Sequence, residues 1–471
     1  MNVHTPRKIL VVGGGPCGLV TLRNLIDRGQ FEQALLVERR DDVGGVWYLE
    51  DPPLPGVPRD RPYWPSPAYP ALVGNVLSEY LSFSHHPFPE LPSQLHPYPT
   101  LLQTHQYLKR FAAPFLESGH ILLSTEVVWV DELADGQGWN VTLRDWRSGS
   151  AGNERVETWD AVVVATAWYD FPSWPDGVPG LAEAREAGLA THAKNWKGPS
   201  GYEGKKIVVV GNANSSNDIV AQLKSVAQTP VYRSIRRQGL RRFAFLPDNR
   251  VVDVAQIACY SIDANKKLDL ELLDGQILTG VDSVILGTGY KAAAAPFVRL
   301  LENEVMTPMT SSLTMPPRIP ALYEHIIYSR NPSLAFIGTI MSYTPFTLAD
   351  VASTFLCLVW SKHITIPNSL EGRLAGEQAR IAFVEATRRQ IDDPSSFVAY
   401  HILAAAEQGY AQGLKDAIRK VDSDGARKWA EALPEWEDGD WKRREGMYER
   451  KWASLEAEAA GEDQFKMDAR L

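Results

Sequence analysis

KILVVGGGPCGLVTLRNLIDRG, residues 8–29, decides how this chain is read. Ile9-Leu10-Val11-Val12 is a short apolar run of the length of a buried strand. Gly13, Gly15 and Gly18 follow at the G-x-G-x-x-G spacing, and Leu19, Leu22, Leu25 and Ile26 then share one helical face. Gly13 permits a tight turn, Gly15 lets a pyrophosphate approach the backbone, and Gly18 lets helix and strand pack closely. The helix N-terminus offers N–H groups and a positive dipole end to the phosphates. A second apolar run, Ala34 to Val37, ends in Glu38, about 20 residues past the last glycine, the offset of the acid that accepts from ribose hydroxyls. Strand, turn, helix and acid in this order predict a dinucleotide-binding α/β unit.

Working outward, Asp42-Val43-Gly44-Gly45-Val46-Trp47 places a glycine pair where a cofactor can approach the backbone, with a Trp suited to covering a flavin. Residues 51–70 hold eight prolines with Tyr63, Trp64 and Tyr69, which excludes a helix or an inner strand. This loop either walls a substrate entrance or packs over the first unit. In Phe83-Ser84-His85-His86-Pro87-Phe88-Pro89 the paired histidines have no further ligand cluster, so no metal is expected. Leu101 to Leu116 reads as a helix, and Ile121 to Val130 and Trp139 to Trp146 as strands of a meander. Ala161 to Ala165 reads as a buried strand returning to the first sheet. A Pro-containing linker, Pro172 to Gly180, follows.

A second unit begins near Lys205. The strand Ile207 to Val210 runs into Gly211-Asn212-Ala213-Asn214-Ser215-Ser216-Asn217-Asp218, with a helix expected over Ile219 to Val226. Small residues, Ala213 and Ser216, stand where the second and third glycines would. After the next strand, Pro230 to Tyr232, come Arg233-Ser234-Ile235-Arg236-Arg237 in place of an acid. An acid would repel a 2′-phosphate and Arg binds it bidentately, so NADPH is expected over NADH, through Arg233 or Arg236. Ser283 to Leu286 and Leu334 to Gly338 read as further strands, Leu348 to Trp360 as a helix, and the chain from Leu370 as helical, with Trp429, Trp436 and Trp441 as packing anchors.

The totals narrow the class. The 471 residues carry a net charge of −9, which argues against a general nucleic-acid surface. Cys17, Cys259 and Cys357 are far apart, without disulfide or zinc spacing, which fits a reducing compartment. No signal peptide is recognisable before Lys8, and Val351 to Trp360 is too short to span a bilayer. A cytoplasmic protein is expected, with oligomeric state left open. One site with Glu38 and a second with arginines suggest FAD held permanently and NADPH visiting. No C-x-x-C pair is present to receive electrons, so they pass to oxygen or directly to a substrate.

These residues resemble the flavin-containing monooxygenases, over roughly residues 8–360. The resemblance rests on Gly13 to Gly18, on Gly44 to Trp47, on Asn75 eight residues before Phe83, and on Phe83 to Pro89. It extends through Gly188, His192 and Trp196-Lys197 to Gly211–Asp218, Gly287-Thr288-Gly289-Tyr290 and Pro332–Gly338. In the family fingerprint F-x-G-x-x-x-H-x-x-x-[YF], Glu186 replaces the Phe and Trp196 the final aromatic. Ala165-Thr166-Ala167 stands for the A-T-G linker motif. Trp196 is similar to the Baeyer–Villiger enzymes; Lys197 is not.

The resemblance implies two Rossmann-like, three-layer α/β domains, the NADPH domain inserted in the FAD domain, and a helical C-terminal extension. The expected boundaries are 1–170 and 291–370 for FAD, 171–290 for NADPH and 371–471 for the extension. The expected FAD residues are Gly13, Gly15, Pro16, Cys17, Gly18, Glu38 and Arg39, with Gly45, Val46, Trp47, Asn75, Val76 and Val127. For NADPH they are Gly211, Asn212, Asn214, Ser215, Ser216, Asn217, Arg233 and Arg236. The implied chemistry is reduction of FAD by NADPH, addition of dioxygen to give a C4a-hydroperoxyflavin, and transfer of one oxygen to nitrogen or sulfur of a small molecule. Asn75 is the implied catalytic residue, hydrogen-bonding the peroxyflavin and retained NADP⁺, and His192 supports the linker. The alternatives are a Baeyer–Villiger ketone oxygenase, a flavin oxidase, and a non-catalytic flavin-binding protein.

Overall fold

The computed structural model describes residues 5–53, 61–90, 97–134, 136–147, 152–166, 168–237, 245–291, 295–310, 316–392 and 397–460. Its central element is the strand Lys8–Val12, which pairs in parallel with Gln33–Val37 on one side and Ala161–Val164 on the other. The seven-stranded sheet runs Leu322–Tyr323, Ile327–Tyr328, Leu334–Phe336, Ala161–Val164, Lys8–Val12, Gln33–Val37, Ile121–Leu122. Alternate side chains go to opposite faces. Ile9 and Val11 pack on the helices Pro16–Arg28 and Pro345–Trp360. Leu10 and Val12 pack on Trp139, Val141 and Leu143 of an antiparallel strand. This gives three layers, and burial on both faces explains the unbroken apolar run.

The antiparallel layer departs from the expected meander. A single strand over Ile121 to Val130 is predicted, but Ser124 turns at φ +50. Ile121–Leu122 therefore joins the parallel sheet, and Thr125–Glu132 opens a second one. That sheet runs Val305–Pro308, Val298–Glu302, Thr125–Glu132, Trp139–Asp145, Asn153–Trp159.

A separate parallel sheet runs Val251–Val254, Val231–Ser234, Ile207–Val210, Ser283–Leu286, Ala190–His192. A three-stranded antiparallel sheet, Ile257–Ile262, Leu268–Leu272 and Ile277–Val281, packs beside it. The chain is thus α/β with two Rossmann-like units, the second inserted between strands of the first. Helices follow from Leu370, including Ala406–Arg419 and Asp424–Ala432. Among the described residues no helix is long and apolar enough to cross a membrane.

The helix Pro345–Trp360 starts three residues before the expected Leu348, with Pro345 in its first turn. Its buried Asp350 joins it to the first helix. That carboxylate accepts from Arg23 Nη2 at 2.9 Å and from the Ser84 N–H at 2.7 Å, and lies 3.6 Å from Arg28 Nη1. Burial pushes Asp350 up, but Arg23, Arg28 and Ser84 together hold it below the ordinary carboxylate value.

Candidate active site

Four neighbouring parallel strands end on one cavity of about 450 Å³. Gly13 follows the first, Glu38 the second, Ala165 the third and Ile337-Gly338 the fourth, and all five residues line it. Ligands of open α/β sheets bind at these carboxyl ends. Of the residues the sequence proposes, Gly13, Gly15, Pro16, Cys17, Glu38, Arg39, Gly45, Val46, Trp47 and Val127 line the cavity.

The glycines divide by role. A Cβ on Gly18 would lie 1.9 Å from the Gly13 carbonyl oxygen, so Gly18 sits beneath the turn and serves helix packing. Gly13 adopts φ +108. Gly15 differs from both: a Cβ there would meet only Gly45, with Cα at 3.4 Å, an ordinary contact. The fold itself does not require this glycine. Its empty side faces the cavity at the N-terminus of the first helix, which has no side-chain cap and no acid in its first turn. This suits a pyrophosphate.

Glu38 is aimed before any ligand arrives. Its Oε2 accepts from the Gly14 N–H at 2.7 Å and its Oε1 from the Arg40 N–H at 3.0 Å. Arg39 Nη2 donates to both carboxylate oxygens of Asp170, at 2.8 and 2.7 Å. Cys17 is buried and burial pushes its thiol up to about 12, so it is a packing residue, not a nucleophile.

Asn75 and Val76 do not line the cavity, contrary to expectation. Their loop is fixed by the Gly74 N–H to Pro99 O at 2.9 Å, by Lys451 Nζ to Gly74 O at 3.2 Å, and by the Leu77 N–H to Met447 Sδ at 3.5 Å. A Cβ on Gly74 would lie 3.9 Å from the Trp47 ring, so the loop borders the residue that forms the wall.

The second set gathers at the end of Ile207–Val210. The helix there is Asn214–Leu223, five residues earlier than predicted, so Asn214, Ser215, Ser216 and Asn217 form its first turn. Gly211 turns at φ +110, and Asn212 Nδ2 donates to Arg237 O at 2.6 Å. Ser216 donates to Val210 O at 3.2 Å, and a Cβ on Gly287 would lie 2.0 Å from its Oγ. The space that a third glycine would provide comes from Gly287 on the neighbouring strand. Arg233 is bidentate to Asp253 at 2.7 and 2.9 Å and donates to Asn217 Oδ1 at 2.7 Å, whereas Arg236 is exposed.

Lys197 explains itself structurally. Its Nζ donates to Ser66 O at 2.5 Å and Ala68 O at 2.8 Å, strapping the proline-rich loop, whose Trp64 to Pro67 line the cavity. Burial, then Lys194, lower it to about 8. Tyr69 adds a second tie, donating to Asp218 Oδ2 at 2.6 Å. Residues 54–60 of this loop and Ala167 of the linker motif lie outside the described residues. His192 is buried, and its Nδ1 accepts from the Lys194 N–H at 3.0 Å, which fixes the short turn after the strand.

Residues 6–240 match the family described as flavin-binding monooxygenase-like. The chain belongs to this family. A thiol-specific monooxygenase of Saccharomyces cerevisiae is 28% identical over 387 residues, 80% of this chain and 82% of the yeast protein. The flavin-containing monooxygenase FMO GS-OX2 of Arabidopsis thaliana is 27% identical over 381 residues, 78% of this chain and 77% of its own. The structure of S-allyl-L-cysteine S-oxygenase from Allium sativum shares the fold with a TM-score of 0.71 at 23% identity, covering 95% of this chain and 99% of that one. As a flavin-binding monooxygenase, the protein is an enzyme that uses FAD and NADPH. The cavity fits FAD: Gly15 keeps a cradle that a side chain would fill, and the Trp168 indole N–H in the wall is buried without a partner among the described residues.

Several lining residues were not anticipated. Arg40 stands two residues after Glu38, and Thr339 to Ser342 extend a strand end already identified, so strand topology could have found them. His325 and Tyr410 carry no local signal.

Proposed function

We propose that this monooxygenase acts on the sulfur of a small thiol or thioether. The wall made by residues 338–352 and Tyr410 supports this reading: its lining side chains are Thr339, Ile340, Met341, Ser342, Pro345, Phe346, Leu348, Ala349, Ala352 and Tyr410, with no carboxylate. The cavity's carboxylates, Glu38, Glu126 and Asp170, already accept hydrogen bonds from Gly14, Trp146 and Arg39. A buried ammonium needs a partner charge and a neutral sulfur does not. The names of the yeast and Allium proteins point to the same element.

When bound, FAD supplies electron transfer from NADPH and activation of dioxygen. The chain's residues do the rest. Gly15 and the first helix N-terminus receive the pyrophosphate, and Glu38 orients the ribose. Trp47 and Phe346, 6.5 Å apart edge to face, close the apolar end against water. Asn75 lies outside the cavity lining, on the loop bordering Trp47, and is proposed to turn its amide, which both donates and accepts, toward the reacting oxygen once the cofactors are bound. Residues 171–290 are proposed to receive NADPH, with its phosphates at the uncapped helix Asn214–Leu223 and its 2′-phosphate at Arg236.

The test is product mass after turnover of the holoenzyme with a cysteine thioether, a thiol, a tertiary amine and a cyclic ketone. Addition of one oxygen to the sulfur compounds is expected. Oxygenation of the amine alone would overturn the sulfur reading, and a lactone from the ketone would favour Baeyer–Villiger chemistry.

A further inference from the structure

His325 lines the FAD cavity from a strained position. It and Glu324 are consecutive residues at positive φ, +54 and +50, in the turn between Leu322–Tyr323 and Ile327–Tyr328. Non-glycine residues persist there only where the surroundings hold them. The C-terminal region does so. Tyr410 Oη donates to Glu324 O at 2.6 Å, with its ring edge-on to His325, centroids 5.8 Å apart. His401 faces His325 with Nδ1 to Nδ1 at 3.2 Å.

The hydrogen-bond chain fixes both tautomers. The Ile319 N–H donates to His401 Nε2 at 3.1 Å, so that nitrogen has no proton. His401 therefore carries its proton on Nδ1 and donates to His325 Nδ1. His325 must carry its own proton on Nε2, and no described residue accepts it. Burial lowers His325 to about 3, with Arg380 adding to the effect, and burial, then His325, Arg318 and Arg380, hold His401 well below the ordinary imidazole value. Neither ring becomes charged at working pH, so the proton stays in place.

We propose that His325 is an FAD-binding residue that donates its Nε2–H to an acceptor atom of the bound cofactor, and that His401 is the positioning residue that fixes its tautomer. The reading rests on FAD occupying this cavity, which Gly15→Val tests separately: that variant should lose its flavin, and a fully loaded yellow Gly15→Val protein would refute the placement and not the tautomers.

Two measurements test the proposal. In the ¹⁵N spectrum of the histidine-labelled holoenzyme, His325 should appear as the Nε2–H form and His401 as the Nδ1–H form, assigned through His325→Gln and His401→Phe. The opposite tautomer at either residue would overturn the proposal. FAD release on dilution, read by flavin fluorescence, should give a dissociation constant about three- to tenfold weaker for His325→Phe, the loss of one hydrogen bond, with partial recovery in His325→Gln. His401→Phe should weaken FAD similarly while losing the fixed His325 tautomer. Unchanged FAD affinity in His325→Phe would overturn the contact.

Discussion

Two arginines follow the strand Val231–Ser234, and their neighbours separate them. Arg233 has Asp253 bidentate on its guanidinium and Phe245 4.4 Å away beneath it, which ties adjacent strands. Arg236 is exposed beyond the strand end and is the residue proposed to bind the 2′-phosphate. A charge-assisted hydrogen bond contributes roughly 1.5–3 kcal/mol. Arg236→Ala should therefore weaken NADPH binding about tenfold or more and leave NADH unchanged, measured by titration of each nucleotide; an unchanged NADPH/NADH ratio would remove Arg236 from the site. Asn75 is tested at the same scale. Loss of one fixed donor at an oxyanion-type site lowers rates on the order of 10²-fold. Asn75→Ala should keep FAD and NADPH consumption but release hydrogen peroxide in place of product. Measuring NADPH oxidised, peroxide and product in one reaction decides it, and wild-type coupling would leave Asn75 as a loop residue.

At the scale of elements, local pattern carries what local physics determines. Lys8 to Glu38 reads correctly because its strand, turn and helix are set by burial on both faces, by backbone freedom at Gly13 and by helical periodicity. The helix Asn214–Leu223 is read five residues late because Asn and Ser favour caps and loops, and here the first turn is held by Ser216 on Val210 and Asn217 on Asn212. His325 and Tyr410, 85 residues apart, meet in the cavity only through tertiary packing, which no spacing announces. The helix Ala406–Arg419 has a further invisible feature. Burial pushes Glu407 up to about 7, against hydrogen bonds from Ser342 Oγ at 2.6 Å and the Tyr343 N–H at 3.1 Å. An unfolded carboxyl titrates near 4.5, so the folded value is raised. Its contribution to stability is full below that value and is lost as pH rises through about 7. Wild type should thus lose on the order of 3 kcal/mol from this group between pH 4.5 and 8. Glu407→Gln should lack that part of the slope in urea unfolding, and a slope equal to wild type would assign the effect elsewhere.

Across the whole molecule, the C-terminal helices and the cofactor cavity share one core. Ile340 and Leu348 line the cavity, and they pack in the same cluster as Leu403, Ala411, Trp436 and Trp441. Trp436 is fully buried, with the Arg444 guanidinium 3.9 Å above its ring, and Arg444 Nη1 donates to Glu435 O at 2.8 Å. A second cluster joins Leu414, Ile418 and Leu433 to the first helix, whose last residue, Arg28, lies over the Trp429 ring. The extension therefore supports the cavity wall at Ile340 and Leu348 and packs on the first helix, and its loss cannot be confined to the surface. Trp436→Ala removes a large buried side chain and should destabilise the protein by about 3–5 kcal/mol. Because the cavity left behind adjoins Ile340 and Leu348, FAD release should move with unfolding. On heating, flavin fluorescence and circular dichroism should show coincident transitions in wild type and in Trp436→Ala, both lowered in the variant. A variant that unfolds earlier by circular dichroism while holding FAD to the wild-type temperature would show that the C-terminal cluster and the cofactor cavity are separate units.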